Sequence, residues 1–267
     1  AYNTYYTAFN TNMVVNELFL DSATLRDNVV SLAKQLGYTP KSVTAPKASV
    51  SMALTFTGTA PAEVALKRGS GFVTNYDGSL YRYILKDNLK VSVANNIATF
   101  TDVPIYEGSQ IVTNTVVDTN SKSQRFIIDN SGVDINTLSV RVFQAVNSSI
   151  FKDYKQANNI LDIGATDSVY FINEIEDEKY EVFFGDGVLG EKLEDNNVVE
   201  MSYIVTNGTS TNGAKTFTFN GLMEDENGTT ITLPFSVSSI NTTSVASGGE
   251  DIELSLIHIS EPTRLLR

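Results

Sequence analysis

Hydrophobic residues along this chain follow two different spacings, and the change falls near residue 45. Before that point, apolar residues recur three or four positions apart, which places them on one face of an α-helix. Asp21 and Ser22 precede this run as a possible helix cap, and Gly37 follows it as a stop signal. The pattern therefore predicts an N-terminal helix. Its apolar face would consist of Leu25, Val29, Leu32 and Leu36.

After Lys47, apolar residues alternate with small polar ones in short runs. Alternation predicts a strand with one buried face, and the Asn, Asp, Gly and Ser between the runs predict turns. The pair Asn95-Asn96 predicts a tight hairpin between two of the runs. No helical pattern between them is long enough to cross over between parallel strands. The predicted strands occupy residues 50–56, 89–93, 97–101, 124–129, 138–143, 168–172, 180–184, 198–206 and 216–220.

These patterns predict a mainly β protein of the α+β type. An N-terminal helical segment would be followed by two or three small antiparallel modules of the β-sandwich or barrel-like kind. Polar stretches give the expected boundaries. They divide the chain into a helical segment at 1–44, a first β module at 45–115, a second at 116–220, and the start of a further module at 221–253.

Residues 254–267 differ in origin from the rest of the chain. Residues 254–264 match, codon by codon, a transposon-type sequencing adapter, so we expect residues 254–267 to be a non-native tail. The single histidine, His258, lies in this tail. Because the chain also begins at Ala1 rather than at a methionine, we expect it to be an internal fragment of a longer protein.

Charge and composition argue against several classes of function. The net charge of −12 at pH 7 repels nucleic acid and anionic membrane surfaces. The chain has no cysteine and no histidine before its tail, which excludes disulfides, zinc sites and the common nucleophile–base pairs. No apolar run reaches the roughly 18 residues of a membrane-spanning helix. We expect no catalytic residues, metal, cofactor or small-molecule substrate.

The most informative motif is a glycine-rich run after a predicted strand, Phe184-Gly185-Asp186-Gly187-Val188-Leu189-Gly190. Its glycines fit the dinucleotide-binding pattern G-x-G-x-x-G, but such a site needs a helix that starts at the third glycine. Residues 191–197 contain a single apolar residue and carry net negative charge, so no amphipathic helix is expected there. A structural turn is favoured instead. The predicted turn motif comprises Phe184, Gly185, Asp186, Gly187 and Gly190, together with the downstream pair Asn212 and Gly213.

Together with other segments in the same order, this motif resembles the baseplate J family of contractile phage tails, and within it the wedge proteins of the T-even type. The other segments are residues 16–21, 31–38, 105–108, 124–128, 203–208 and 248–251. The resemblance covers most of residues 13–253. It implies a structural protein of the virion tail baseplate, assembled in the bacterial cytoplasm, and not an enzyme. The implied partners are other baseplate wedge proteins and further copies of the chain itself.

Two groups of residues leave rival functions open. Carboxylates in the acidic run at 174–178 would suit a tail-associated glycosidase if two of them faced each other across a pocket, whereas charge runs commonly form solvated faces. Tyr76, Tyr81 and Tyr83 form a tight tyrosine cluster. Such a cluster would suit a carbohydrate-binding or adhesin module if it lined a groove.

Overall fold

The computed structural model describes most of the chain after residue 40. The described ranges are residues 41–121, 124–157, 162–175, 178–231, 235–237 and 240–253, with the single residues Thr11, Val14, Val15, Asn28, Val30 and Ser31.

Strands dominate the described residues. The first group is β1 (Lys47–Phe56), β2 (Glu63–Leu66), β3 (Gly71–Tyr76), β4 (Ser79–Ile84), β5 (Leu89–Ser92) and β6 (Ile97–Glu107). The second group is β7 (Ser109–Val116), β8 (Phe126–Ile128), β9 (Val133–Phe143), β10 (Phe151–Gln156), β11 (Val169–Glu174), β12 (Tyr180–Phe184) and β13 (Val198–Val205). A short 3-10 helix (Gly208–Thr211) precedes β14 (Thr218–Phe219), β15 (Met223–Glu224), β16 (Phe235–Val237) and β17 (Asn241–Ser247).

The first sheet is built around β1. Its strands follow the order β14-β3-β4-β6-β1-β16, and β17 also pairs with β1. All of these pairings are antiparallel. The alternation in β1 buries one face completely, because Ala48, Val50, Met52, Leu54 and Phe56 all point into the same core. A small sheet of order β15-β2-β5 adds Val64, Leu66 and Met223 to that core.

The second sheet has the order β7-β13-β9-β10-β11-β12-β8. Its described pairs are antiparallel except β10 with β11, which run parallel. Its inner face buries a separate core that includes Val140, Tyr180, Val182, Met201 and Tyr203.

The order of the strands along the chain interleaves the two sheets. β1 to β6 come first, β7 to β13 form the whole second sheet, and β14, β16 and β17 then return to the first. Residues 109–205 are therefore inserted between two parts of the first sheet. Strands from the range 221–253 pair with strands from the range 45–115, and the domain boundaries given above stay a prediction.

The prediction of a mainly β chain with antiparallel sheets is confirmed. The N-terminal helical segment is not supported, because the prediction falls almost entirely outside the described residues. The six described residues before residue 41 have helical backbone conformation but are too scattered to define a helix. The described residues contain no helix that is long and apolar enough to cross a bilayer.

The hairpin at Asn95-Asn96 shows where local sequence and tertiary structure diverge. Both asparagines have positive φ angles, 52° and 60°, as the tight turn requires. Pairing across the turn stops after the bridge between Ala94 and Ile97. β5 then pairs with β2 rather than with β6, while β6 lies between β1 and β4 in the first sheet.

The first core gives a direct test of this fold. Leu54→Ala removes a side chain that is fully buried in β1, and we expect it to lower the free energy of unfolding by about 2–5 kcal/mol. Leu80→Ala is the matched control, since Leu80 is 74% exposed and should change stability little. Chemical denaturation followed by circular dichroism measures both. Equal stability of the two variants would contradict the assigned core.

Candidate functional site

The glycine-rich run forms a closed turn at the end of β12. The Gly187 N–H donates to the Gly190 carbonyl at 3.0 Å. One carboxylate oxygen of Asp186 accepts the N–H groups of Val188 at 2.8 Å and Leu189 at 3.0 Å. These bonds, with Leu189 the larger cause, lower the pKa of Asp186. The N–H groups of Val188 and Leu189 therefore make their hydrogen bonds inside the turn.

Two glycines in this turn are required by geometry. Gly187 has a φ angle of +90°, which L-residues with a side chain rarely adopt. A Cβ atom on Gly185 would lie 2.3 Å from the carbonyl carbon and oxygen of Gly190, so the two ends of the turn touch through bare backbone. At the base of the turn, the Phe184 ring packs edge-on against Phe126 and Tyr154.

The residue after the turn, Glu191, ties it to the second sheet. Its carboxylate accepts hydrogen bonds from Lys152, from Tyr154 at 3.2 Å and from Ser168 at 3.0 Å. Its pKa is lowered, chiefly by the bond from Lys152. Residues 191–197 contain no helix, so the third glycine does not direct a helix N-terminus at a phosphate. The turn is thus braced as a structural element.

The second half of the predicted motif lies against the first sheet. The Asn212 side chain makes two hydrogen bonds with the backbone of Gly249, at 2.8 and 3.0 Å. The backbone carbonyl of Asn212 accepts a hydrogen bond from the hydroxyl of Tyr76 at 2.8 Å. The Gly213 N–H donates to the Ala246 carbonyl at 2.7 Å. No hydrogen bond among the described residues joins Asn212 or Gly213 to the turn at 185–190.

A buried carboxyl group at the junction of the two sheets was not among the predicted site residues. Glu107, the last residue of β6, is 1% exposed. It accepts hydrogen bonds from the Thr206 hydroxyl, from the Asn207 backbone N–H at 2.9 Å and from the Asn207 side-chain amide at 2.7 Å. Glu107 therefore connects the end of the first sheet's β6 to the segment after the second sheet's β13. The segment 105–108 stood out in the sequence only through the family resemblance.

The next residue brings the backbones of the two sheets into contact. The Gly108 N–H donates to the Arg82 carbonyl at 2.9 Å. A Cβ on Gly108 would lie 2.2 Å from the carbonyl oxygen of Val205. Only glycine allows the chain to pass from β6 to β7 this close to the end of β13.

Further bonds cross the same junction. The Ala45 N–H donates to Asp134 at 2.9 Å, and the Ile135 N–H donates to the Ser42 hydroxyl at 3.1 Å. Burial raises the pKa of Asp134. The hydroxyls of Tyr83 and Thr211 lie 2.7 Å apart, and burial raises the pKa of Tyr83 to about 12. A small apolar cluster of Ala45, Ile84, Ile204 and Tyr106 packs at the same junction.

Among the residues that the structure describes, neither of the rival sites is brought together. Tyr83 is fully buried in the first core, and the hydroxyl of Tyr76 is bonded to Asn212, so the three tyrosines do not line one open groove. In the acidic run, Glu176 and Asp177 lie outside the described residues, while Glu174 is 1% exposed. Among the residues that are described, no group of three His, Cys, Asp or Glu side chains could hold a metal ion.

Comparison with known proteins gives two matches. Residues 110–214 match the family described as the bacteriophage baseplate wedge protein gp6, third domain. Over 240 residues the chain is 27% identical to baseplate wedge protein gp6 of Enterobacteria phage T4. That alignment covers 82% of this chain and 34% of the T4 protein, so the chain spans about a third of that relative's length. The resemblance to a T4-like baseplate wedge protein is confirmed.

The family match coincides with one structural unit. It begins in β7 and extends through β13 and the 3-10 helix. It therefore includes the whole second sheet, the glycine turn and the partners of Glu107, while Glu107 itself lies in the first sheet.

The glycine turn generates the first prediction at this site. Gly187→Val places a β-branched residue at a positive φ angle, and we expect a loss of stability of about 1–3 kcal/mol. The space around a new Cβ is open, with the nearest heavy atom at 3.8 Å, so the effect would come from the backbone alone. Val188→Ala, at a position that is 73% exposed in the same turn, is the control. An unchanged melting temperature of the Gly187 variant would argue against the turn.

The buried carboxyl group at the junction of the two sheets gives a second prediction. Glu107→Ala leaves the donors of Thr206 and Asn207 without their acceptor, and we expect unfolding to become easier by about 1–3 kcal/mol or more. Asp87→Ala removes an exposed carboxylate and should have little effect. Denaturant titrations of both variants test the difference. If the Glu107 variant were as stable as the control, the carboxyl group would not hold the junction.

Proposed function

We propose that this chain is part of a structural component of a contractile phage tail baseplate. In this proposal it belongs to the wedge, or inner ring, and acts through protein–protein interfaces in baseplate assembly and in triggering sheath contraction. The observation that carries the proposal is the match over 240 residues to the T4 wedge protein, together with the third-domain match inside it.

The surface chemistry supports a role in protein contacts. On the outer face of the second sheet, Val116, Val198, Phe143 and Phe151 lie in register across four neighbouring strands. Val116 and Phe151 are 47% and 42% exposed, and the adjacent loop exposes Val146 and Ile150 still more. Contiguous apolar surface of this kind typically marks an interaction site.

The proposal extends to partners and location. The chain would contact other baseplate wedge proteins and further copies of itself, in the virion tail, after assembly in the host cytoplasm. It would act without catalysis. The relative is named as a baseplate wedge protein, and because Tyr83 is buried, the tyrosine cluster does not form the groove that a carbohydrate-binding rival would need.

We also propose that the chain is organised as two β modules of the sandwich or barrel-like kind. The second sheet would be one module, inserted into the other. The turn at Phe184–Gly190 and the pair Asn212-Gly213 would be structural elements of these modules rather than ligand sites, since their polar groups bond within the fold.

Co-expression tests the proposed function. The chain would be produced with the tail proteins encoded beside its gene, and the mass of the purified material would be measured by light scattering. We expect a defined hetero-oligomer, whose interfaces should each bury more than roughly 1,000 Å².

An unrelated acidic protein, co-expressed in the same way, controls for charge-driven association. If the chain stays monomeric beside all of these proteins, yet binds or cleaves a cell-wall glycan, the proposed function is wrong.

A further inference from the structure

A cleft of about 510 Å³ opens where the two sheets meet. One wall comes from the first sheet, with Lys47 at the start of β1 and Lys86 just after β4. The opposite wall comes from β9 of the second sheet, with Asn136 and Thr137. The cleft thus belongs to the junction and to neither sheet alone.

Both lysines direct positive charge at this cleft. No ion pair joins Lys47 or Lys86 to a carboxylate within the described part of the chain. The Lys86 ammonium donates only a long hydrogen bond, 3.4 Å, to the backbone carbonyl of Asn136. The Lys47 ammonium lies 5.7 Å from the centroid of the Tyr106 ring, an arrangement that orients a cation without neutralising it.

One acidic residue in the lining, Asp134, offsets part of this charge. Asp134 is 2% exposed, and its two carboxylate oxygens accept the backbone N–H groups of Ala45 and Asn136. Burial raises its pKa, while its hydrogen bonds and the nearby Lys86 ammonium act in the opposite direction. Two lysines against one carboxylate leave the lining of the cleft with a net positive charge, on a chain whose net charge is −12.

The rest of the lining indicates what could bind there. Hydroxyl groups add hydrogen-bond donors for oxygen anions; they belong to Thr44, Ser49, Ser244 and Ser247. The volume exceeds that of a single small ion and lies in the range that accommodates several side chains or a small molecule. A long polyanion such as nucleic acid would have to continue over an acidic surface, which repels it. A short acidic stretch needs no favourable charge outside the cleft.

We propose that this cleft binds an acidic, extended segment of a partner protein, whose carboxylates lie between Lys47 and Lys86. The partner is expected to be a protein because of the proposed function, and in that respect the inference rests on it. A segment bound there would touch both sheets and so would strengthen the junction that Glu107 forms.

Calorimetric titration of the 267-residue chain tests the cleft directly. The probe is a short synthetic peptide of alternating glutamate and serine with blocked ends. Its control is the same peptide with glutamine in place of glutamate. We expect saturable binding of the glutamate peptide and none of the glutamine peptide. Binding should weaken at high salt, which screens exposed charges.

Variants of the chain locate the binding. Lys47→Gln combined with Lys86→Gln should weaken binding by at least about tenfold, a loss of roughly 1.4 kcal/mol. Lys90→Gln is the matched control, since Lys90 is exposed in β5 and lies outside the cleft. Lys47→Arg should retain binding. If the double variant unfolds, the affinities of Lys47→Gln and Lys47→Arg for the glutamate peptide are compared instead. Weaker binding by Lys47→Gln than by Lys47→Arg supports the inference, and equal binding contradicts it.

Several outcomes would overturn the inference. One is an absence of binding, and another is equal affinity for the glutamate and the glutamine peptide. A third is a loss of affinity in the Lys90 variant as large as that in the double variant. The last is tighter binding of inorganic phosphate or a short single-stranded oligonucleotide than of the glutamate peptide. The titration needs no wedge protein, so its result is separate from the assembly test. Assembly without peptide binding would overturn the proposed binding in the cleft alone. Peptide binding by a chain that stays monomeric beside the tail proteins, yet binds or cleaves a cell-wall glycan, would overturn the proposed function alone.

Discussion

Glu107 lies where the chain leaves the first sheet and enters the second, and its carboxyl group is shut off from water. A carboxyl group in such a place is tolerated only when hydrogen bonds replace the lost water. Thr206 and Asn207 supply those bonds from the point where the chain leaves β13. The entry into the second sheet and the exit from it are therefore held at one place. Gly108 makes this possible, because no side chain would fit between β6 and Val205.

The insertion of one sheet into the other depends on that junction. β1 lies between β6, which precedes the second sheet, and β16 and β17, which follow it. The first sheet can be completed only if residues 109–205 return the chain close to where it departed. Long-range pairings of this kind carry a loop-closure cost before their contacts form. A compact second sheet with its own core, fastened at Glu107, reduces the freedom of the intervening chain.

The same arrangement suits the proposed structural role. A component that acts through protein–protein interfaces can hold them in a fixed arrangement only if its modules keep a defined relation to each other. Here the glycine turn is closed on itself and braced through Glu191, while the junction combines buried polar bonds with a small apolar cluster. The surfaces that we propose for partners are the apolar outer face of the second sheet and the cleft beside the junction.

Local features of this protein could be predicted from the sequence because they depend on neighbouring residues. Alternation in β1 follows from the two-residue period of a strand, and the positive φ angles at Asn95, Asn96 and Gly187 follow from turn chemistry. The tertiary structure alone decided that β5 pairs with β2, that β16 and β17 complete the first sheet, and that Glu107 is buried. Each of these joins residues that are distant in the chain, and periodicity within a segment does not specify which distant segment will be its partner.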